Sequence, residues 1–301
     1  MLILLFIFVV PLDISNVNAL NPEGVIPHHN ESFATKLYKE VKILCLITTW
    51  PENHKTKAKA VKETWAKRCN KYLFISSKTD SKLNTIALPL EEGRQHLWLK
   101  IKAAFMYIYK KYFNDYDWFV KADDDTYMIV ENLRYMLYQY DPLSPLYLGC
   151  KFKRYVSQGY MSGGAGYILS KEALRRFVEI GLPDRKYCKQ EDDEVEDVEM
   201  GRCLEKLNVT AVDTLDENMR ERMLPLDPEY HLNNKSESWY SYYKFSKSKM
   251  DCCSSKTISF HYISPENMYV MDFLIYKLKP FGLESDRYEL PKKIHNSEKK
   301  L

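Results

Sequence analysis

Residues 118–127 read WFVKADDDTY: apolar Trp118, Phe119 and Val120 run through Lys121 and Ala122 into three consecutive carboxylates, Asp123, Asp124 and Asp125. The stretch DWFVK (117–121) has the composition of a buried strand, and the acidic triplet falls just past its carboxyl end. Adjacent carboxylates repel, and a partly dehydrated one is costly unless a cation neutralises it. A solvated acidic turn is the bland reading. The alternative is a divalent-metal site, since oxygen-only donors suit hard cations such as magnesium or manganese.

The flanking sequence argues for the sheet that such a site needs. VKILCLITT (41–49) is a near-continuous apolar run, as expected of a strand covered on both faces. KTKAKAVKETWAKRC (55–69) reads as a helix with Ala58, Val61 and Trp65 on one face, and KYLFISS (71–77) as the next strand. HLWLKIKAAFMYIYKKYF (96–113) carries a single apolar stripe at helical spacing, and ENLRYMLYQY (131–140) is a further helix. This alternation predicts an α/β fold with a mostly parallel sheet flanked by helices. In such sheets ligands bind beyond the carboxyl ends of the strands, which is where the triplet lies.

The second half is less regular. YMSGGAGYILSKEALRRFVEIG (160–181) offers a glycine cluster, a short strand, Ser170 as an N-cap, then a helix. VEDVEMGRCLEKL (195–207) is expected as a helix, NVTAVD (208–213) and TISFHYIS (257–264) as strands, and ENMYVMDFLIYKL (266–278) as a closing helix. There is no internal repeat.

Composition bounds the function. The chain has 301 residues, 45% hydrophobic and 28% charged, which is ordinary for a globular protein. A net charge of +3 gives no global footprint for nucleic acid. The N-terminus, 1–19, opens with an apolar run broken at Pro11, short of the roughly 20 residues that span a bilayer. It reads as a signal peptide ending near Val17-Asn18-Ala19 or as a truncated signal-anchor, and places the chain in the secretory pathway. Residues 20–40 read as a stem or linker, and 284–301 as a polar basic tail. Sequons at Asn30, Asn208 and Asn234 agree with that route. The 7 cysteines are expected in disulfides rather than a zinc site, because no paired CxxC units occur. The expected pairs are Cys45 with Cys69 and Cys188 with Cys203. Cys252 and Cys253 form a vicinal bridge or reach separate partners, and Cys150 is the odd thiol.

Several chemistries are excluded or weakened. There is no G-x-x-x-x-G-K-[ST] loop and no H-E-x-x-H. A dehalogenase-like phosphatase needs Asp-x-Asp-x-Thr, whereas Thr126 follows Asp125 directly. His261, in SFHYIS, is by default a satisfied core histidine, but a manganese site would accept one imidazole beside its carboxylates. EDDEVEDVEM (191–200) is by default a solvated helix start, although Glu196-Asp197 stands where the apolar pattern resumes. SGGAG (162–166) permits close backbone approach or a plain turn. SWYSYYKF (238–245), including Trp239 and Tyr240, is an acceptor-sugar platform or packing.

Taken together, VKADDDTY, KFKRYVSQGYMSGGAGYILSKEALRRFV, EDVEMGRC, SFHY, ENMYVMDFLIYKL and AVKETWAKRCNK resemble the core 1 β1,3-galactosyltransferases, within the wider β1,3-glycosyltransferase family. The resemblance runs over about residues 41 to 281. It implies a single-domain GT-A, Rossmann-like catalytic domain over 41–283 and a Golgi location, either as a type II membrane protein or in the lumen. It further implies Mn²⁺, a UDP-sugar donor, a GalNAc-bearing glycoprotein acceptor and a homodimer. Position by position, Asp123 and Asp125 match the family's metal-binding pair, Asp124 its ribose side, and His261 the imidazole that completes the metal site. Asp197 matches the catalytic base. Thr49, Lys62, Lys121, Gly163 and Gly164 fall on the nucleotide-sugar side, with Trp239 and Tyr240 toward the acceptor. Lys62 replaces the usual Arg and so lacks its bidentate fork, Trp50 stands where the family has Gly, and 210–250 matches poorly. A chaperone relative without the triplet, a transferase of glucuronic acid or N-acetylglucosamine, and a lectin are the rival classes.

Overall fold

Strand β1 (Ile43–Thr48) lies in the interior of the sheet that carries the acidic triplet, in a computed structural model that describes residues 32–192, 195–233, 251–280 and 293. In chain order there follow β2 (Lys71–Ser76), β3 (Thr85–Ala87), β4 (Trp118–Asp123), β5 (Tyr127–Met128) and β6 (Leu146–Gly149). Next come β7 (Lys151–Phe152), β8 (Tyr160–Met161), β9 (Tyr167–Ser170), β10 (Thr210–Asp213), β11 (Met223–Leu224) and β12 (Ser259–Phe260). The helices are α1 (Phe33–Glu40), α2 (Lys59–Glu63), α3 (Leu97–Tyr112), α4 (Val130–Leu137), α5 (Lys171–Arg176), α6 (Glu196–Lys206), α7 (Pro228–Asn233) and α8 (Pro265–Tyr276).

The main sheet has the order β10-β6-β9-β4-β1-β2-β3. All its pairs are parallel except those of β9, which runs antiparallel to both β4 and β6. The mostly parallel sheet expected from the strand–helix alternation is therefore present. Its interior strands β1, β4, β6 and β9 are buried on both faces, and the side chains divide by alternation. Ile43, Cys45, Ile47, Trp118, Val120 and Ala122 face a core with Val61, Trp65 and Leu133 from α2, α4 and their surroundings. Leu44, Leu46 and Phe119 face the other core, with Trp98, Ile101 and Phe105 of α3 and Leu204 of α6.

Register fixes the site. β1 and β4 pair from Ile43↔Trp118 to Thr48↔Asp123, so Thr48-Thr49 and Asp123-Asp124 emerge side by side at the same carboxyl edge. The antiparallel neighbour β9 places Tyr167 opposite Lys121. A small second sheet, β11-β12-β5, brings the late segment back: β12 pairs antiparallel with β5, and Ile263 N–H donates to the Asp125 carbonyl at 2.9 Å.

Some boundaries differ from expectation. Phe33–Glu40, expected within a linker, is helical and docks on α4 through buried Leu37, with the Tyr38 ring 4.6 Å from the Arg134 guanidinium. The strand expected over 257–264 is only Ser259–Phe260. It stops because Tyr262 takes a left-handed φ of 57°, which leaves His261 on a turn. Ser170 caps α5 as expected, its hydroxyl accepting from Ala173 N–H at 3.1 Å. Cys45–Cys69, Cys188–Cys203 and the vicinal Cys252–Cys253 are bonded, and Cys150 is a free, buried thiol. No helix among the described residues is long and apolar enough to cross a membrane. The N-terminal segment with Asn30, together with Asn234, Trp239, Tyr240 and most of the 284–301 tail, lies outside the described residues. Asn208 is exposed on a turn after α6.

Candidate active site

At the carboxyl edge of β1 and β4 the triplet separates into three roles. Asp123 Oδ1 accepts from the Thr48 hydroxyl at 2.6 Å and meets the Lys121 ammonium at 2.7 Å. Asp124 turns away and is buried, its Oδ2 accepting from Thr49 Oγ1 at 2.7 Å and Asn53 Nδ2 at 2.9 Å. Burial pushes its pKa up to about 6 against the pull of those two donors. Asp125 Oδ1 lies 3.1 Å from His261 Nε2, and its Oδ2 lies 2.9 Å from Lys57 Nζ. Burial acts against the Asp125 carboxylate, but His261 and then Lys57 outweigh it and hold the pKa well below the usual range.

His261 completes the cluster from the turn just after β12. Its Nδ1 is 3.2 Å from the Pro225 carbonyl, an anchor that turns Nε2 toward both carboxylates, with Asp123 Oδ2 at 4.0 Å. Ligand atoms of Asp123, Asp125 and His261 all lie within 4.8 Å of one another. The glycine segment makes room for the ring: a Cβ on Gly164 would stand 2.1 Å from His261 Cε1, so any side chain there would expel the imidazole. Two carboxylates and one oriented imidazole fit a divalent cation, and an ammonium group stands against the oxygen of each carboxylate that is turned from the imidazole.

A second acidic pair faces the same space. Lys121 is buried, and its Nζ also donates to the Gly163 carbonyl at 3.1 Å and lies 3.9 Å from Glu196 Oε2. Burial alone would lower the Lys121 pKa, but Asp123 and Glu196 raise it. Glu196, at the start of α6, is buried and accepts from the Tyr167 hydroxyl at 2.5 Å. Burial, opposed by Lys121 and helped by Asp197, pushes its pKa up to about 7. Asp197 Oδ2 accepts from Gly163 N–H at 3.2 Å and Oδ1 from Val198 N–H at 2.9 Å; burial raises its pKa despite both donors.

Thr49, Lys121, Asp123, Asp124, Asp125, Gly163, Gly164, Asp197 and His261, all singled out from sequence, line one cleft of about 700 Å³. Lys62 does not. Its ammonium bonds the Lys82 carbonyl, and it is Lys57 from this helical segment that reaches the triplet, at Asp125. The reason is local. The helix begins earlier than its apolar pattern suggests, with a tight turn at Pro51–Asn53 and a wide turn at His54–Ala58, and this phase points Asn53 and Lys57 at the acids. Pro51, a residue favoured in a first helical turn, is the sequence signal that marks this start. Thr48 was also not anticipated; it follows from the β1–β4 register alone.

Fold and site together define an α/β protein of the glycosyltransferase class, with a cation-type carboxylate–imidazole cluster at its strand ends. The chain belongs to the Fringe-like family, whose model matches residues 38–277. It is 46% identical over 289 residues to glycoprotein-N-acetylgalactosamine 3-beta-galactosyltransferase 1 of Xenopus laevis, covering 92% of this chain and 78% of that protein. A beta-1,3-glucosyltransferase of Mus musculus is 27% identical over 57% of this chain and 35% of its own length. A solved glycosyltransferase involved in glycosylation of the major capsid of PBCV-1 shares 14% identity, over 78% of this chain and 100% of that one. The TM-score between the two is 0.43.

Proposed function

We propose that the chain is an inverting β1,3-galactosyltransferase that moves galactose from UDP-galactose to GalNAc-O-Ser/Thr of glycoproteins, with Mn²⁺ at Asp123, Asp125 and His261. One observation carries it: the donor atoms of those three residues converge on the wall of a cleft that Asp197 also lines. The 46% identity to a galactosyltransferase that acts on N-acetylgalactosamine of glycoproteins supports the choice of donor and acceptor.

A cation so held would neutralise the negative charge that develops on the departing diphosphate. The remaining chemistry belongs to the chain. An acceptor hydroxyl is a poor nucleophile, so a carboxylate takes its proton as the oxygen attacks the anomeric carbon. Asp197 is suited to this. Two backbone N–H groups fix its orientation, and burial raises its proton affinity. As the new C–O bond forms, the bond to UDP breaks with its electron pair leaving on the diphosphate. Attack opposite the leaving group turns an α-linked donor into a β-linked product. Lys121 holds Gly163 and Asp123 together, which keeps the base-bearing and cation-bearing walls in register.

The test is a donor screen: full-length protein, Mn²⁺, UDP-galactose, UDP-glucuronic acid and UDP-N-acetylglucosamine, and a GalNAc-threonine peptide, with products read by mass. A gain of one hexose from UDP-galactose alone is expected. Transfer of another sugar reassigns the donor, and no Mn²⁺-dependent UDP binding favours a chaperone-like relative.

A further inference from the structure

The hairpin that joins β7 to β8 contains a three-residue turn. Val156 N–H donates to the Arg154 carbonyl at 2.9 Å around Tyr155, whose φ is 69°. A turn of this size with a positive central φ is the rare, strained form, and a bulky side chain at its centre calls for a reason. Packing does not supply one. Tyr155 is 61% exposed; its ring centroid lies 6.4 Å from that of Tyr160, and the Arg154 guanidinium is 5.8 Å away. Strain kept where little is buried in return is characteristic of ligand contacts.

The position of Tyr155 indicates which ligand. Among the described residues, three exposed aromatic side chains line the cleft: Trp50, Tyr155 and Tyr262. Trp50 follows Thr49, which holds Asp124, and the Tyr262 ring lies 3.9 Å from that of His261, so both belong to the cation-bearing wall. Tyr155 belongs to the other wall. The return strand β8 leads from its turn to Gly163, whose N–H bonds Asp197. A Cβ on Gly201 of α6 would stand 2.4 Å from Tyr160 Cβ, so the hairpin and the helix that carries Asp197 are packed without a gap. We propose that Tyr155 is the platform for the acceptor's sugar: its ring stacks on the C–H face of the pyranose while a hydroxyl of that sugar faces Asp197. This rests on the transferase reading above, which makes Asp197 the base. Tyrosine suits the task, because it offers a flat apolar face and a polar tip that stays in water. A nucleobase, the other flat ligand, belongs beside the cation-bearing wall, where its diphosphate would be neutralised.

The test uses full-length protein with Mn²⁺ and UDP, titrated in a calorimeter with a GalNAc-threonine peptide and with the same peptide lacking the sugar, alongside initial rates at varied acceptor. The wild type is expected to bind the glycopeptide and not the bare peptide. Tyr155→Gly adopts the turn without strain, so it should melt no lower than the wild type and bind UDP as tightly. Its Kd and KM for the glycopeptide should nevertheless rise about tenfold. Tyr155→Phe keeps the ring and should stay within about twofold of the wild type. The inference is overturned by a wild type that does not bind the glycopeptide, by unchanged acceptor affinity in Tyr155→Gly, or by a loss that Phe does not rescue. It is equally overturned if Tyr155→Gly loses UDP affinity in parallel, which makes the ring a nucleotide contact, or melts lower, which makes it a packing residue. A wild type that binds the glycopeptide through Tyr155 yet transfers no sugar supports the platform and overturns the transferase reading instead.

Discussion

Two acidic clusters border one cleft and are handled in opposite ways. At the triplet, Asp125 is half-buried and receives the His261 imidazole and the Lys57 ammonium, so it stays ionised far below the ordinary range. At Glu196-Asp197, burial dominates. The cation near Glu196 is Lys121 at 3.9 Å, already shared with Asp123, and both carboxyls hold their protons more tightly than in water. The same residue type is thus tuned toward holding a cation on one wall and toward exchanging a proton on the other. Environment, not residue type, divides the labour.

The most severe way to break this division is Asp125→Ala. It removes the carboxylate that both His261 and Lys57 address, and leaves neither with its partner at the cleft wall. Sugar transfer should fall to background and Mn²⁺-dependent UDP binding, read by calorimetry, should vanish while the thermal transition remains cooperative. Undiminished metal-dependent binding would remove Asp125 from the cation site. Next in size is Asp197→Asn, which keeps the shape and one of the two backbone hydrogen bonds but cannot accept a proton. UDP binding should be retained while kcat drops by between about a hundredfold and ten-thousandfold. Equal turnover in the variant would assign the proton to another group.

How visible this was in the sequence depended on how local each part is. The strand and the triplet sit within ten residues of each other, so apolar run and charge together gave both element and edge. The strand–helix alternation gave the parallel sheet because each period is read within one segment. The antiparallel strand β9 was harder, since nothing within YILS encodes direction. His261 joins the triplet across a sequence separation of more than a hundred residues through β12 and β5; family resemblance pointed to it, whereas its own neighbours suggested only a core histidine in a strand. Lys57 stayed hidden because one wide turn shifts the phase of the helix, and periodicity counted from Lys55 onward cannot register that shift. The charge balance between Glu196 and Lys121 was invisible for a different reason. It depends on the β4–β9 pairing, which sets Lys121 beside Tyr167, and Tyr167 in turn bonds Glu196.

Glu196 offers the smallest but most discriminating test of the contrast. Its pKa is raised from 4.5 to about 7 in the folded chain, so the folded state keeps a proton that the unfolded state has lost. A group raised in this way stabilises the fold fully below about pH 4.5, and that contribution is lost as pH rises through about 7. Asp125 has the opposite sign, because it is held below its ordinary value and adds stability once pH exceeds about 4. Glu196→Gln keeps an oxygen for the Tyr167 hydroxyl and removes the titration. Urea unfolding of metal-free protein should therefore show the wild type losing ground to the variant between pH 4.5 and 7.5. The change should be at most about 3 kcal/mol, reduced by whatever Lys121 returns to the ionised form. A difference that stays flat across that window, or runs the other way, would mean that Glu196 is already ionised beside Lys121. The two walls of the cleft would then be tuned alike.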